Sequence, residues 1–422
     1  MSERRSARPL GALLCLVLAG AACRPEKPPA PPVADADSRR TLVTGDVVGF
    51  TGRYGAHVWM GIPYAAPPEG ERRWRAPAPP QRWSGVREAL RPGGVCPQFP
   101  SRFAGIESDD PDEPVGEEDC LYLNVYAPRF APDEVPGEGR RLPVLFWIHG
   151  GGNVIGHASF YDGGNLASTE RVVVVALNYR LGPLGWFRHA ALREGARSDA
   201  DRSGNYGTLD LVRGLEWVRE NAAAFGGDPR NVTLFGESAG ARNVFSLLLA
   251  PAARGLFHRA IVQSGGTGTT PLAEAEAFAD GDPPGERNSS NEVLLRLLGG
   301  GGERREAKRR LEAMKPAEVE AALRRFHAYE LLATYATEAQ EGLIDVPQLF
   351  RDGVVLPAAD PLAVLRSGEY NRVPTIFGTN RDEDKLFLAV NREYVRWPFG
   401  LLPLVRDAGR YEATARHLSL HW

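Results

Sequence analysis

VTLFGESAGARNVFSLLL, residues 232–249, is the stretch on which the reading of this chain turns. Val232 to Phe235 has the length and β-branched content of a buried strand, and Phe245 to Leu249 continue as an apolar helical face. Between them, Gly236-Glu237-Ser238-Ala239-Gly240 sets Gly-x-Ser-x-Gly between strand and helix, the context of a nucleophile elbow. Such a turn is so tight that the serine's neighbours must lack bulk, and it thrusts the hydroxyl up from the sheet edge. The backbone N–H of Ala239, at the start of the helix, is left free to meet a developing negative charge.

Working outward, Leu121–Tyr126, Val144–Ile148, Val172–Leu177, Ala260–Gly265 and Val373–Gly378 read as strands, the second, third and last of them buried. Asn205 to Phe225 has the spacing of an amphipathic helix, stopped by Gly226-Gly227-Asp228-Pro229. Strands alternating with helices predict an α/β fold built on a mostly parallel sheet with helices on both faces, whose ligands bind at the carboxyl ends of the strands. The Val144–Ile148 strand ends in His149-Gly150-Gly151-Gly152-Asn153, and three glycines there let the backbone aim its N–H groups at one point. No Lys-Ser/Thr follows, so an oxyanion is a better occupant than a phosphate. The Val373–Gly378 strand leads to Glu383. Glycine triplet, elbow and acid thus fall at strand ends of one sheet. Short antiparallel strands are expected over Asp46–Ala65, and surface helices with loops over 276–325.

The chain has 422 residues and a formal charge of -3, so electrostatics make no case for nucleic acid. Residues 1–23 carry Arg4, Arg5 and Arg8, an apolar run from Leu10 to Leu18, small residues and then Cys23, the pattern of an export signal. The small residues before Cys23 resemble a bacterial lipoprotein cleavage site, which would put a lipid and a membrane tether on Cys23; ordinary cleavage after Ala21 or Ala22 is the competing reading. Either way the protein is expected in an exported, periplasmic, cell-surface or secreted location. A Pro-rich tether over 24–40 and a single domain over 41–422 are expected to follow. In an oxidising compartment the remaining cysteines, Cys96 and Cys120, are expected to pair. Other metal ligands are lacking near them, and neither metal nor cofactor is called for. The loop between them holds eight acidic residues and Arg102 as its one base, a solvated face or a rim that steers substrate.

EDCLYLNVYAP at 118–128, WIHGGGN at 147–153, NYRLGPLGWF at 178–187, FGGDPRNVTLFGESAGA at 225–241 and HRAIVQSGG at 258–266 together resemble type B carboxylesterases, the cholinesterase-like branch of the α/β-hydrolase fold. The resemblance covers about residues 40–390. It implies Ser238 as nucleophile, Gly151, Gly152 and Ala239 as oxyanion donors, Glu383 as the triad acid and Cys96–Cys120 as the loop disulfide. It also implies two-step acyl transfer from a small-molecule ester. Asp384 stands where the family usually has glycine.

Triad order in this fold is Ser, acid, His, yet only His417 and His421 follow Glu383. They sit four apart in YEATARHLSLHW, without the Gly-flanked loop the family uses, and read as packing or surface histidines. His149 is expected to shape the glycine turn. The sequence therefore reads as an esterase incomplete at its C-terminus and short of its base. A non-catalytic, adhesion-type member of the same fold is the alternative, against which stand Ser238, the glycines and Glu383. The Cys96–Cys120 loop has Phe99 and Phe103 but no Trp, which favours general acyl esters over choline esters. Nothing in the sequence sets an oligomeric state.

Overall fold

The computed structural model of the chain describes residues 30–298, 303–335, 341–383, 388, 393–396 and 404–419. Eight strands form the central sheet: β1 (Phe50–Thr51), β2 (His57–Pro63), β3 (Tyr122–Ala127), β4 (Leu142–Ile148), β5 (Val173–Leu177), β6 (Gly227–Glu237), β7 (Arg259–Gln263) and β8 (Thr375–Gly378). Their spatial order is β8-β7-β6-β4-β5-β3-β2-β1. The five from β8 to β5 run parallel, and β3, β2 and β1 continue antiparallel.

Both faces are covered, which is why β5 is apolar at every position and wholly buried. Val173 and Val175 join the main core with Leu211, Leu215 and Trp217 of α2 (Tyr206–Asn221) and Leu247 of α3 (Ala239–Leu249). Val174 and Tyr126 face the other way and pack with Ala167 of α1 (Gly164–Glu170).

Several sequence expectations need correction. The helix expected to reach Phe225 ends at Asn221 and tightens into a 3₁₀ turn over Ala222–Phe225. β8, read as a buried strand, is the sheet's edge and is largely open, with Ile376 65% and Phe377 60% exposed among the described residues. The folded unit also begins before residue 41. Asp35–Ser38 dock onto β1 and β2: the Ser38 hydroxyl accepts the Gly49 N–H at 2.8 Å, and Trp59 Nε1–H donates to Ser38 O at 2.8 Å. The region over 276–325 is more than surface. Its helices Ser290–Leu298, Arg304–Ala313 and Pro316–Arg325 bury Val293, Leu294, Leu311 and Leu323 in a second apolar cluster with Trp74, Phe187 and Tyr206.

Cys96 and Cys120 are bonded, closing a loop of sequence separation 24. Closing a loop of that length is worth about 3 kcal/mol of chain entropy. Cys96→Ser is expected to lower unfolding stability by about that amount in urea denaturation; an unchanged midpoint would refute it.

Candidate active site

The glycines of the elbow are forced by backbone, since each packs against it without room for a side chain. A Cβ on Gly240 would lie 2.0 Å from Ile148 O, and one on Gly236 would lie 2.6 Å from the Gly240 carbonyl carbon. Ser238 is held at φ 55°, ψ −121°, left-handed space that a serine enters only under constraint. Its N–H donates to Gln263 O of β7 at 2.9 Å, and α3 starts at the next residue. The side chain is half-buried. These features are the elbow anticipated from the sequence, with its strain visible.

Against it lies the turn after β4. A Cβ on Gly150 would stand 3.3 Å from Ser238 Cβ, so the glycine segment touches the elbow directly. Gly151 (φ 97°), Gly152 (φ 64°) and Asn153 (φ 63°) follow in left-handed conformations. The N–H groups of Gly151 and Gly152 make no hydrogen bond among the described residues, and Ala239, first in its helix, has no intrahelical acceptor for its own. Ser238, Gly150, Gly151 and Gly152 share a cleft of about 240 Å³ walled by Phe103, Ile155, Phe160 and Leu343. Three unspent donors beside one hydroxyl can stabilise a negative oxygen formed there.

The turn is pinned by a buried polar network. Asn153 Nδ2 donates to Gln348 Oε1 at 2.5 Å, and Gln348 Nε2 donates to Gly152 O at 3.1 Å. Asn243 Nδ2 donates to Asn153 Oδ1 at 2.7 Å, while the Tyr179 hydroxyl donates to His149 O at 2.8 Å. Sequence reasoning missed Gln348, Asn243 and Tyr179 in this role, because they come from three distant parts of the chain and share no local pattern. Asn153→Leu is expected to slow phosphonylation of Ser238 about 100-fold, since an error of about 1 Å in such donors has that cost. Stopped-flow release of p-nitrophenolate from a phosphonate would check it.

His149 occupies the position expected of it beside the turn. Its ring stacks on Tyr179 at 4.5 Å, Nδ1 lies 2.9 Å from Gly150 O, and the residue is 1% exposed. Burial pushes its pKa down to about 4, the Gly150 carbonyl opposing. The folded value lies below the unfolded one near 6.5, so the unfolded chain binds the proton first. Its contribution is complete above about pH 6.5 and is lost as pH falls toward 4, a difference of about 3 kcal/mol. His57, His157, His189 and His258 are depressed in the same direction, burial being the main cause. Urea midpoints are therefore expected to drop steadily between pH 6.5 and 4.5, and His149→Asn to flatten the slope.

Glu383 stands at the same sheet edge, beyond β8. It accepts from the Asn380 N–H at 2.6 Å and the Thr379 hydroxyl at 3.0 Å. Burial would raise its pKa, but hydrogen bonds from Ser264, Asn380 and Thr379 outweigh this and hold it below the ordinary glutamate value. Ser264 is itself at φ 55°, its N–H donating to Gly378 O at 2.7 Å. Ser264 was quoted in HRAIVQSGG without a role; a small polar residue just past a strand end was the available signal. Glu237, beside Ser238, has its pKa raised by burial and by the Glu383 charge. Among the described side chains no histidine hydrogen-bonds Glu383. His417 falls in the helix Ala408–Ser419, whereas His421, Asp384 and Cys23 lie outside the described residues.

Fold and elbow together define an α/β hydrolase. The sequence model of the carboxylesterase family matches residues 36–397, and the chain belongs to that family. It is 39% identical over 349 residues to the para-nitrobenzyl esterase of Bacillus subtilis (strain 168), a match spanning 82% of this chain and 63% of that one. To the cocaine esterase of Oryctolagus cuniculus it is 36% identical over 373 residues, spanning 84% and 60%. Among solved structures, a PNB esterase superposes with TM-score 0.63 at 35% identity over 86% of this chain and 68% of that one. A Geobacillus stearothermophilus carboxylesterase gives TM-score 0.63 at 34% identity over 85% and 66%. The chain spans about three fifths of the length of the curated relatives it matches.

Proposed function

We propose that the protein is a serine carboxylic-ester hydrolase, acting on small-molecule esters through an acyl intermediate on Ser238. What carries the reading is the contact between the strained Ser238 and the Gly150–Gly152 turn. In the first step Ser238 Oγ attacks the ester carbonyl, and the carbonyl oxygen takes up negative charge between the N–H groups of Gly151, Gly152 and Ala239. The Oγ–C bond forms as the hydroxyl proton passes to a base. Collapse of the oxyanion then breaks the C–OR bond, the leaving oxygen takes up that proton and departs as the alcohol, and water later hydrolyses the acyl–Ser238 bond to release the carboxylic acid. Glu383 is the acid that would orient a histidine base, and its lowered pKa keeps it ionised for that task.

No cofactor or metal enters this scheme. The Cys96–Cys120 loop gives the cleft Phe103 but no Trp, which supports general acyl esters over choline esters. The disulfide supports an exported location, with lipidation of Cys23 as its most specific form. The experiment is to treat the chain with a p-nitrophenyl alkylphosphonate and map the adduct by mass spectrometry. One phosphonyl group on Ser238, absent from Ser238→Ala, is the expected result; a folded chain without an adduct would refute the reading and favour a binding protein on the same fold.

A further inference from the structure

Arg242 lies one helical turn beyond Ser238, its N–H donating to Ser238 O at 3.0 Å. Its side chain is half-buried, and desolvation with no compensating acid holds its pKa below the ordinary arginine value. Among the described residues its guanidinium has no carboxylate partner and a single long contact, Nη2 to Gly268 O at 3.4 Å, at the solvent-exposed end. Other arginines near the sheet are paired: Arg180 with Asp210 at 2.7 Å, Arg213 with Glu220 at 3.0 Å, and Arg73 with Glu118. A cation taken partly out of water without an anion is costly, so an unpaired one beside a nucleophile marks a place where charge is to be supplied from outside.

The surroundings leave room for it. A Cβ on Gly266 would meet nothing closer than 4.0 Å, and one on Gly268 only Arg242 Nη2 at 3.7 Å. This open segment follows β7, whose Gln263 O holds the Ser238 N–H, so it borders the elbow away from the Phe103–Phe160 cleft. An ester seated with its carbonyl oxygen in the Gly151–Gly152–Ala239 hole has two ends to place. With the leaving alcohol seated in the apolar cleft, the acyl chain would run toward Arg242.

We propose that Arg242 recognises a carboxylate carried on the substrate's acyl chain, so that the substrates are half-esters of dicarboxylic acids. Four helical residues rise about 6 Å, a span matched by a short dicarboxylate. The assignment of an acyl chain to this side rests on the esterase reading above, but carboxylate binding can be measured without any turnover.

The test is calorimetric titration of the chain at pH 7.5 with monomethyl glutarate and with methyl pentanoate, its neutral counterpart. Wild type is expected to bind the half-ester at least about tenfold more tightly, a factor typical of one charge-assisted contact. That preference is expected to vanish in Arg242→Met, which keeps the apolar stem, and to persist in weakened form in Arg242→Lys. Absence of the preference in wild type, or its survival in Arg242→Met, would overturn the proposal. Failure of the esterase reading looks different: no phosphonyl adduct on Ser238, with the binding preference intact.

Discussion

Turnover of p-nitrophenyl butyrate by this 422-residue chain is expected to lie close to the Ser238→Ala baseline, about a millionfold below what a complete serine–histidine–acid site supplies. The reason is the proton. Ser238 can be oriented and its oxyanion stabilised, but attack at neutral pH needs a base at the hydroxyl, and among the described side chains Glu383 is bonded by Thr379, Asn380 and Ser264 and by no imidazole. Loss of the base alone corresponds to about 8 kcal/mol of barrier. The oxyanion donors and binding retain a residual acceleration of about 10³–10⁴ over water, which is what phosphonate labelling would report. Steady hydrolysis far above the Ser238→Ala control would show that another imidazole serves. His157, which lines the cleft with Ser238, is then the group to replace, and His157→Ala should abolish the rate.

Gly240→Ala is expected to destabilise the fold by about 3 kcal/mol or more, the upper range for overpacking a site that cannot yield. The added Cβ would sit 2.0 Å from Ile148 O and 2.7 Å from His149 O. Both are backbone atoms at the end of β4, so relief requires α3 to move away from the sheet. That movement also pulls Ala239 N–H from the oxyanion position, and surviving protein should lose Ser238 reactivity along with stability. Gly378→Ala is the control: its Cβ would meet nothing within 4 Å and its φ is not left-handed, so a change within about 0.5 kcal/mol is expected. Equal losses in the two variants by urea denaturation would show that crowding at the elbow is not the cause.

Much of this site could be read from local chemistry. Glycines 236 and 240 announce a turn that admits no Cβ, and the structure puts backbone oxygen where each Cβ would be. Gly151 and Gly152 announce left-handed backbone after a buried strand, and both adopt it. Such features depend on a few consecutive residues and on sterics that act over one turn. Burial of β8 was misjudged for the opposite reason. An apolar run such as Thr375–Gly378 looks alike in the middle of a sheet and at its rim, and it is the strand order that makes it the edge among the described residues. Helices of the 276–325 region likewise looked superficial because their apolar faces are short, and packing three such faces on Trp74 and Phe187 is what makes a core of them.

By itself, the sequence determined the strand-turn-helix around Ser238 and the glycine turn at Gly150–Gly152, because each is fixed by backbone geometry within a short window, while alternation of strands and helices gave the α/β architecture and the count of cysteines gave the pair. Only the tertiary structure decided which residues pin that glycine turn, Gln348, Asn243 and Tyr179. It alone left Arg242, one helical turn past Ser238, without an acid among the described residues. Hydrogen-bond partners and burial are set by which segments meet across the sheet, and that meeting is a sum over the whole core that no local pattern contains.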